Sequence, residues 1–227
     1  IKNSQIPSEF YKKYNVKKGL RDINGKGVLA GLTNISAIHS FDKERNQIPG
    51  VLEYRAYNIK DIVSDLRSKN RFGFEEMTYL LLFGELPSAK ELQEFQILLA
   101  SKRTLPEFFV RETILTNPSS DVMNSMSRCL LALASYDKKA SDISIENVLE
   151  QSLALIADFP LLAIYSYQAY IHYFKKESLY IHFPDPELTT AENILRMLRP
   201  DCHYSDMEAK VLDIALILHM EHGGGNN

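Results

Sequence analysis

The sequence predicts a mostly α-helical domain of many helices, with a small β-hairpin near its N-terminus. Three observations predict it. Capping boxes stand before helically spaced apolar residues at Ser88, Thr189 and Ser205. Two short runs rich in β-branched and aromatic residues, each opening on glycine, come before all of them. Beyond residue 58 the period of the apolar residues is helical throughout.

Taken in order, IKNSQIPSEFYKKYNVKKGL is polar and reads as a lead-in segment with one helical turn. GVLAGLTNIS (27–36) and GVLEYRAY (50–57) read as two strands joined by the polar segment HSFDKERNQIPG. Asn58 is an N-cap, and Ile59, Ile62, Val63 and Leu66 then share one helical face. FEEMTYLLLFG ends on Gly84, a C-cap. The box Ser88-Ala-Lys-Glu91 leads into Leu92, Phe95, Leu98 and Leu99, and Pro106 suits the first turn of a short helix, LPEFFVRETI.

Two longer helices follow, at 119–135 and 144–176. The first carries Met123, Met126, Leu130 and Leu133, and the second contains Pro160, which is expected to kink or split it. The box Thr189-Thr-Ala-Glu192 opens the next helix and Pro200 stops it. Ser205-Asp-Met-Glu208 opens the last, where apolar residues from Val211 to Leu218 cover nearly every face and predict burial all round. No repeat or linker divides the chain.

Composition narrows the function classes. With 227 residues the chain can bury a full-sized core, and 45% apolar with 24% charged residues is ordinary for a globular protein. A net charge of −3, with lysines only in isolated pairs, weighs against nucleic-acid binding. Two cysteines, Cys129 and Cys202, exclude a disulfide framework and a four-cysteine metal site. No apolar stretch reaches membrane-spanning length on this reading and no leader opens the chain, so a cytoplasmic setting with no membrane partner is expected. The chain opens on Ile1 rather than methionine, and both ends are expected to continue into something longer.

The chemistry concentrates in the last nine residues, HMEHGGGNN. A helix reaching this segment places His219 and His222 on one face, about 60° apart. Gly223 to Gly225 end the helix and give the backbone room to approach a ligand, while Asn226 and Asn227 add amide donors. The negative end of the helix dipole favours protonated histidine, which suits an anionic carboxylate. Three readings stay open on the residues alone: a glycine-capped helix end with locally satisfied histidines, a metal site needing a third ligand such as Glu221 or His203, and a polar anion site.

The segment resembles the signature of the citrate synthase family, in which a His-x-x-His stretch is followed by glycine and asparagine. GLTNISAI, GVLEYRAYNIKDI, FEEMTYLLLFGELPS and NILRMLRP are similar to further blocks of that family in the same order, so the resemblance covers residues 20 to 227. It implies a predominantly helical homodimer that condenses oxaloacetate with acetyl-CoA to citrate and CoA, with no metal or other cofactor. By the same resemblance His222 contacts oxaloacetate, Asn226 helps hold it and His219 supports them. The catalytic aspartate, two catalytic histidines, the main CoA-binding segment and the carboxylate-binding arginines are expected downstream of Asn227. Residues 1–227 are then the N-terminal part of the large domain, inactive alone, with the small catalytic domain absent. Met220-Glu221 and Ala56 depart mildly from the family pattern, which commonly has glycine at the latter position.

Other candidates have weaker claims. Ser125, Ser127, Ala132, Ala134 and Ser135 allow close helix packing, and the resemblance implies a dimer interface at 119–135 and 144–176. Cys202-His203 reads as structural, His172 and His182 as packing residues, and His39 has no evident partner. The tyrosines of YSYQAYIHYF read as core and interface, not as a nucleic-acid stacking platform. Alternative functions are 2-methylcitrate synthesis from propionyl-CoA and a non-catalytic helical oligomerisation module.

Overall fold

The structure, a computed structural model, describes residues 35–42 and 46–221 together with Glu9 and Lys13. The rest of the predicted lead-in segment and most of the predicted strand at 27–36 lie outside the described residues. The chain forms two compact units, one comprising Ile1–Ile62 with His219–Asn227 and the other Val63–Leu218.

Among the described residues, the first unit holds a three-stranded antiparallel sheet of β1 (Ser36–Phe41), β2 (Gln47–Tyr54) and β3 (Tyr57–Asn58) in the order β1-β2-β3. Ser36 lies opposite Tyr54 and His39 opposite Val51. β1 thus overlaps the predicted strand at Ser36 and extends to Phe41, into the segment predicted to be the connector. SAIHSF has enough alternation to pair with β2, and beside that pairing the Asn46 N–H donates to Asp42 Oδ1 at 2.7 Å. The third strand is absent from the sequence prediction. It exists because Arg55 (φ 48°) and Ala56 (φ 68°) close a two-residue turn that pairs Tyr54 with Tyr57. His39, without an evident partner in sequence, lies 3.7 Å from Glu53 on the neighbouring strand.

Helix α1 (Ile59–Ser68) starts where predicted, with Asn58 Oδ1 accepting from the Lys60 N–H at 2.9 Å. Helix α2 (Phe74–Phe83) ends on Gly84 in the left-handed conformation, φ 90°, which a side chain would resist. Both arms of the capping box form at Ser88 before α3 (Ala89–Lys102) and at Thr189 before α6 (Thr190–Leu198). At Ser205, before α7 (Asp206–Leu218), hydroxyl and carboxylate make the same reciprocal pair. Helix α4 (Val122–Leu133) is capped by Asp121, two residues after the predicted start. Residues Val110–Leu115 form a π-helix, where an ordinary short helix after Pro106 is predicted.

Helix α5 (Ile145–Lys175) is the longest element and continues through Pro160 unbroken. Reading Pro160 as a break also hides its apolar length: one 18-residue window has a mean hydropathy of 1.5, so α5 meets the length and composition needed to cross a membrane. It serves here as a packing spine against α3, α4, α6 and the π-helix. Leu161, Leu162 and Tyr165 join Phe109, Ile114, Cys129 and Met197 in one core cluster.

Helix α7 corrects the prediction of burial all round. Only Ala209, Asp213 and Ile217 are buried, and Met207 and Val211 are largely exposed. An apolar sequence on every face marks what a helix can bury; which faces find neighbours is decided by packing partners that lie far away in sequence.

Candidate functional site

The predicted site segment begins where α7 stops. The helix ends at Leu218, so exposed His219 lies in a turn and not, as predicted, on a helical face shared with His222. His222 and Asn226 lie outside the described residues. Among the described residues no three His, Cys, Asp or Glu side chains are grouped to hold a metal ion.

Two contacts missed by sequence reasoning lie in or just before this segment, each within its own unit. The first is Tyr54, at the end of β2 and fully buried. Its hydroxyl donates to the Glu221 carbonyl at 3.1 Å and accepts from the Glu221 N–H at 3.4 Å. Burial raises the phenol's pKa, opposed by its hydrogen bond to the Glu221 backbone, so the hydroxyl keeps its proton at physiological pH. The Arg55 N–H donates to the Ile35 carbonyl at 2.7 Å, tying the following turn to the chain entering β1.

The second contact is Asp213, the one charged residue in VLDIALIL. Helix α2 begins at Gly73 with no side-chain cap of its own. Asp213 supplies the cap from α7, its two carboxylate oxygens accepting from the Gly73 N–H at 2.8 Å and the Phe74 N–H at 3.1 Å. Burial pushes its carboxyl up to about 6; these N–H groups oppose the shift, and nearby Glu75 and Glu192 add to it. The helices meet too closely here for a side chain at position 73, since a Cβ on Gly73 would lie 2.3 Å from Leu66 Cδ1 and 3.1 Å from Ile217 Cδ1. The lone aspartate in an apolar run was the available signal, although its partner was not.

A polar cluster in the same unit joins α2, α3 and α6. Glu75 Oε1 accepts from the Thr190 N–H and hydroxyl, both at 2.8 Å, and Arg103 reaches Thr190 Oγ1 at 3.0 Å and the Leu188 carbonyl at 2.8 Å. Burial lowers the Arg103 pKa, and Glu75 counters it. The cluster borders an open pocket of about 310 Å³ lined also by Gln93, Gln96 and Pro186. Its bonds are chiefly those of a buried structural tie, since a carboxylate and a guanidinium taken from water need such partners.

The remaining histidines pack. His172 Nδ1 is 2.8 Å from the Glu177 carbonyl, and His182 Nε2 is 3.2 Å from the Pro200 carbonyl. Cys202 has φ 60° in the turn after α6 and the His203 N–H donates to Asp201 Oδ1, local bonds that fit the structural reading of that pair.

The family model described as "Citrate synthase, C-terminal domain" matches residues 20–227. The citrate synthase of Saccharolobus solfataricus is 30% identical over 207 residues, covering 91% of this chain and 48% of its own. That of Haloferax volcanii is 31% identical over 215 residues, with 92% and 49% covered. A citrate/2-methylcitrate synthase of Bacillus subtilis is 29% identical over 196 residues, with 86% and 47% covered. Among solved structures, citrate synthase from Pyrobaculum aerophilum superposes with a TM-score of 0.68 at 24% identity, covering 92% of this chain and 50% of that one. The Thermoplasma acidophilum citrate synthase, in ternary complex with carboxymethyl coenzyme A and oxaloacetate, gives 0.69 at 21% identity, with 90% and 47% covered. These two likenesses establish the fold, and the chain spans about half the length of the curated relatives it matches.

Proposed function

Because this chain belongs to the citrate synthase family, we propose that the whole protein condenses oxaloacetate with acetyl-CoA and releases citrate and CoA. The observation that carries the reading is the family match across residues 20–227, which includes the HMEHGGGNN segment. In this reading His222 binds oxaloacetate, Asn226 assists and His219 supports the segment. A carboxylate base removes a proton from the acetyl methyl group, and a neutral donor stabilises the enol oxygen. The enol carbon then attacks the ketone of oxaloacetate, and water cleaves the thioester to give citrate and CoA. The base and its two partner histidines are placed beyond Asn227, so residues 1–227 supply part of the oxaloacetate pocket and no base. No metal or other cofactor enters this chemistry. Two free cysteines, Cys129 and Cys202, support the reading of a reducing, cytoplasmic setting.

The test is release of CoA thiol from oxaloacetate and acetyl-CoA, paired with the intact mass of the sample. Turnover is expected from a protein well above 25.9 kDa and none from a chain of that mass. Turnover at 25.9 kDa contradicts the placement of the base. Propionyl-CoA is the matching probe for the second reading, which the relative named citrate/2-methylcitrate synthase favours. A helical oligomerisation module is distinguished by failing to bind oxaloacetate. The reading also includes a homodimer formed through helices 119–135 and 144–176, with no nucleic-acid or membrane partner.

A further inference from the structure

We propose that Tyr54 is a positioning residue for oxaloacetate binding: its buried hydroxyl grips the backbone of Glu221 and thereby sets where the chain delivers His222. This rests on the reading above that His222 contacts oxaloacetate.

The need for such a grip follows from where α7 stops. The helix ends at Leu218 and does not carry the chain as far as His222. The Glu221 carbonyl belongs to the peptide bond that joins Glu221 to His222, and this carbonyl receives the Tyr54 O–H at 3.1 Å. The same oxygen of Tyr54 accepts the Glu221 N–H at 3.4 Å, so one phenol meets both polar groups of one residue, 167 positions away in sequence.

Tyr54 is well placed to act as a fixed point. It is 0% exposed, so its ring is held on all sides. Its backbone pairs with Ser36 in β1 and Tyr57 in β3. The Arg55-Ala56 turn that follows holds two consecutive positive φ angles, a conformation sustained only where the surrounding bonds over-determine it. Burial also keeps the phenol protonated, and only the protonated form can donate to a carbonyl. A phenylalanine at 54 keeps the ring and loses both bonds.

The experiment compares full-length wild type, Y54F and H222Q in steady-state kinetics. For Y54F the KM for oxaloacetate is expected to rise about fivefold, the effect of one neutral hydrogen bond. Its kcat and its KM for acetyl-CoA are expected to stay within about twofold, because the chemical groups are untouched. A purely structural role lowers the active fraction, and hence kcat, without this split. An unchanged oxaloacetate KM in Y54F, beside a raised one in H222Q, overturns the positioning role alone. An unchanged oxaloacetate KM in H222Q overturns the reading of the motif and the proposal with it. Wild-type amide exchange tests the grip without any variant: the Glu221 N–H is expected to exchange at least about tenfold more slowly than in unstructured peptide, and unprotected exchange there overturns the proposal.

Discussion

Ala56 shows what a single residue costs the hairpin that carries Tyr54. Its φ is 68° directly after Arg55 at 48°, and an L side chain in this region crowds the following carbonyl by about 1–2 kcal/mol. Glycine removes the crowding and adds chain entropy to the unfolded state, an opposing effect of about 0.5–1 kcal/mol. The strain is the larger of the two, so Ala56→Gly is expected to stabilise the protein by about 0.5–1 kcal/mol. Thermal unfolding reads this directly, and a midpoint lowered by the substitution sinks the strain account. The residue was singled out in sequence as a place where the family commonly has glycine. Its backbone angle was not legible, because YRAY alone does not say whether the chain turns there or runs on as a strand. Tyr54 was equally hidden: nothing local in GVLEYRAY points to a partner at Glu221.

At the scale of elements, helix starts were the most legible feature, because a cap is a local hydrogen bond between residues three apart. Ser88 and Thr189 each satisfy both arms of their boxes, as the sequence predicts. The extents of β1 and β2, the π-helix and the exposed side of α7 depend on distant partners, and there the structure departs from the prediction. Helix α5 contains a further element-scale device at Asp158, two residues before Pro160. Burial pushes this carboxyl up to about 7, while Lys102 and the Thr104 N–H oppose the shift. An acid whose folded pKa lies above its unfolded value, 3.8, binds its proton more tightly in the native state. Its stabilising contribution is therefore full below pH 3.8, falls as pH rises toward 7 and levels off above it. Asp213, pushed up to about 6, acts with the same sign over a narrower window. Asp158→Asn is expected to remove part of this decline, up to about 1.4 kcal/mol per pH unit inside the window. Urea unfolding of both proteins from pH 4 to 8 checks it: curves that stay parallel exclude Asp158 as the titrating group, whereas converging curves toward low pH identify it.

At the scale of the molecule, the mostly helical class was legible because it sums many local signals, whereas the grouping of β1–β3 with 219–221 was not. That grouping joins segments from opposite ends of the chain, which no period along the sequence records. The outer surface raises the corresponding question about a second copy. Met123 and Leu131 on α4 are 68% and 74% exposed, and Ile143 and Ile145 at the start of α5 are 90% and 84% exposed. Along α4 and its C-cap, Met123, Ser127, Leu131 and Ala134 recur at helical spacing on the exposed side, apolar residues alternating with small ones. Ser125, grouped with them in sequence, is buried and belongs to the subunit's own packing. Such a stripe lets two helices approach closely while removing Leu131 and Met123 from water, and the proposed homodimer makes use of it. The full-length protein is expected to scatter light as a dimer, with an unfolding midpoint that rises with concentration. Leu131→Lys places a charge in that stripe at a position the subunit leaves in solvent, so it is expected to give a folded monomer with unchanged helix content. A wild-type monomer removes the proposed interface, and a dimer indifferent to Leu131→Lys moves it off α4 to another face of the molecule.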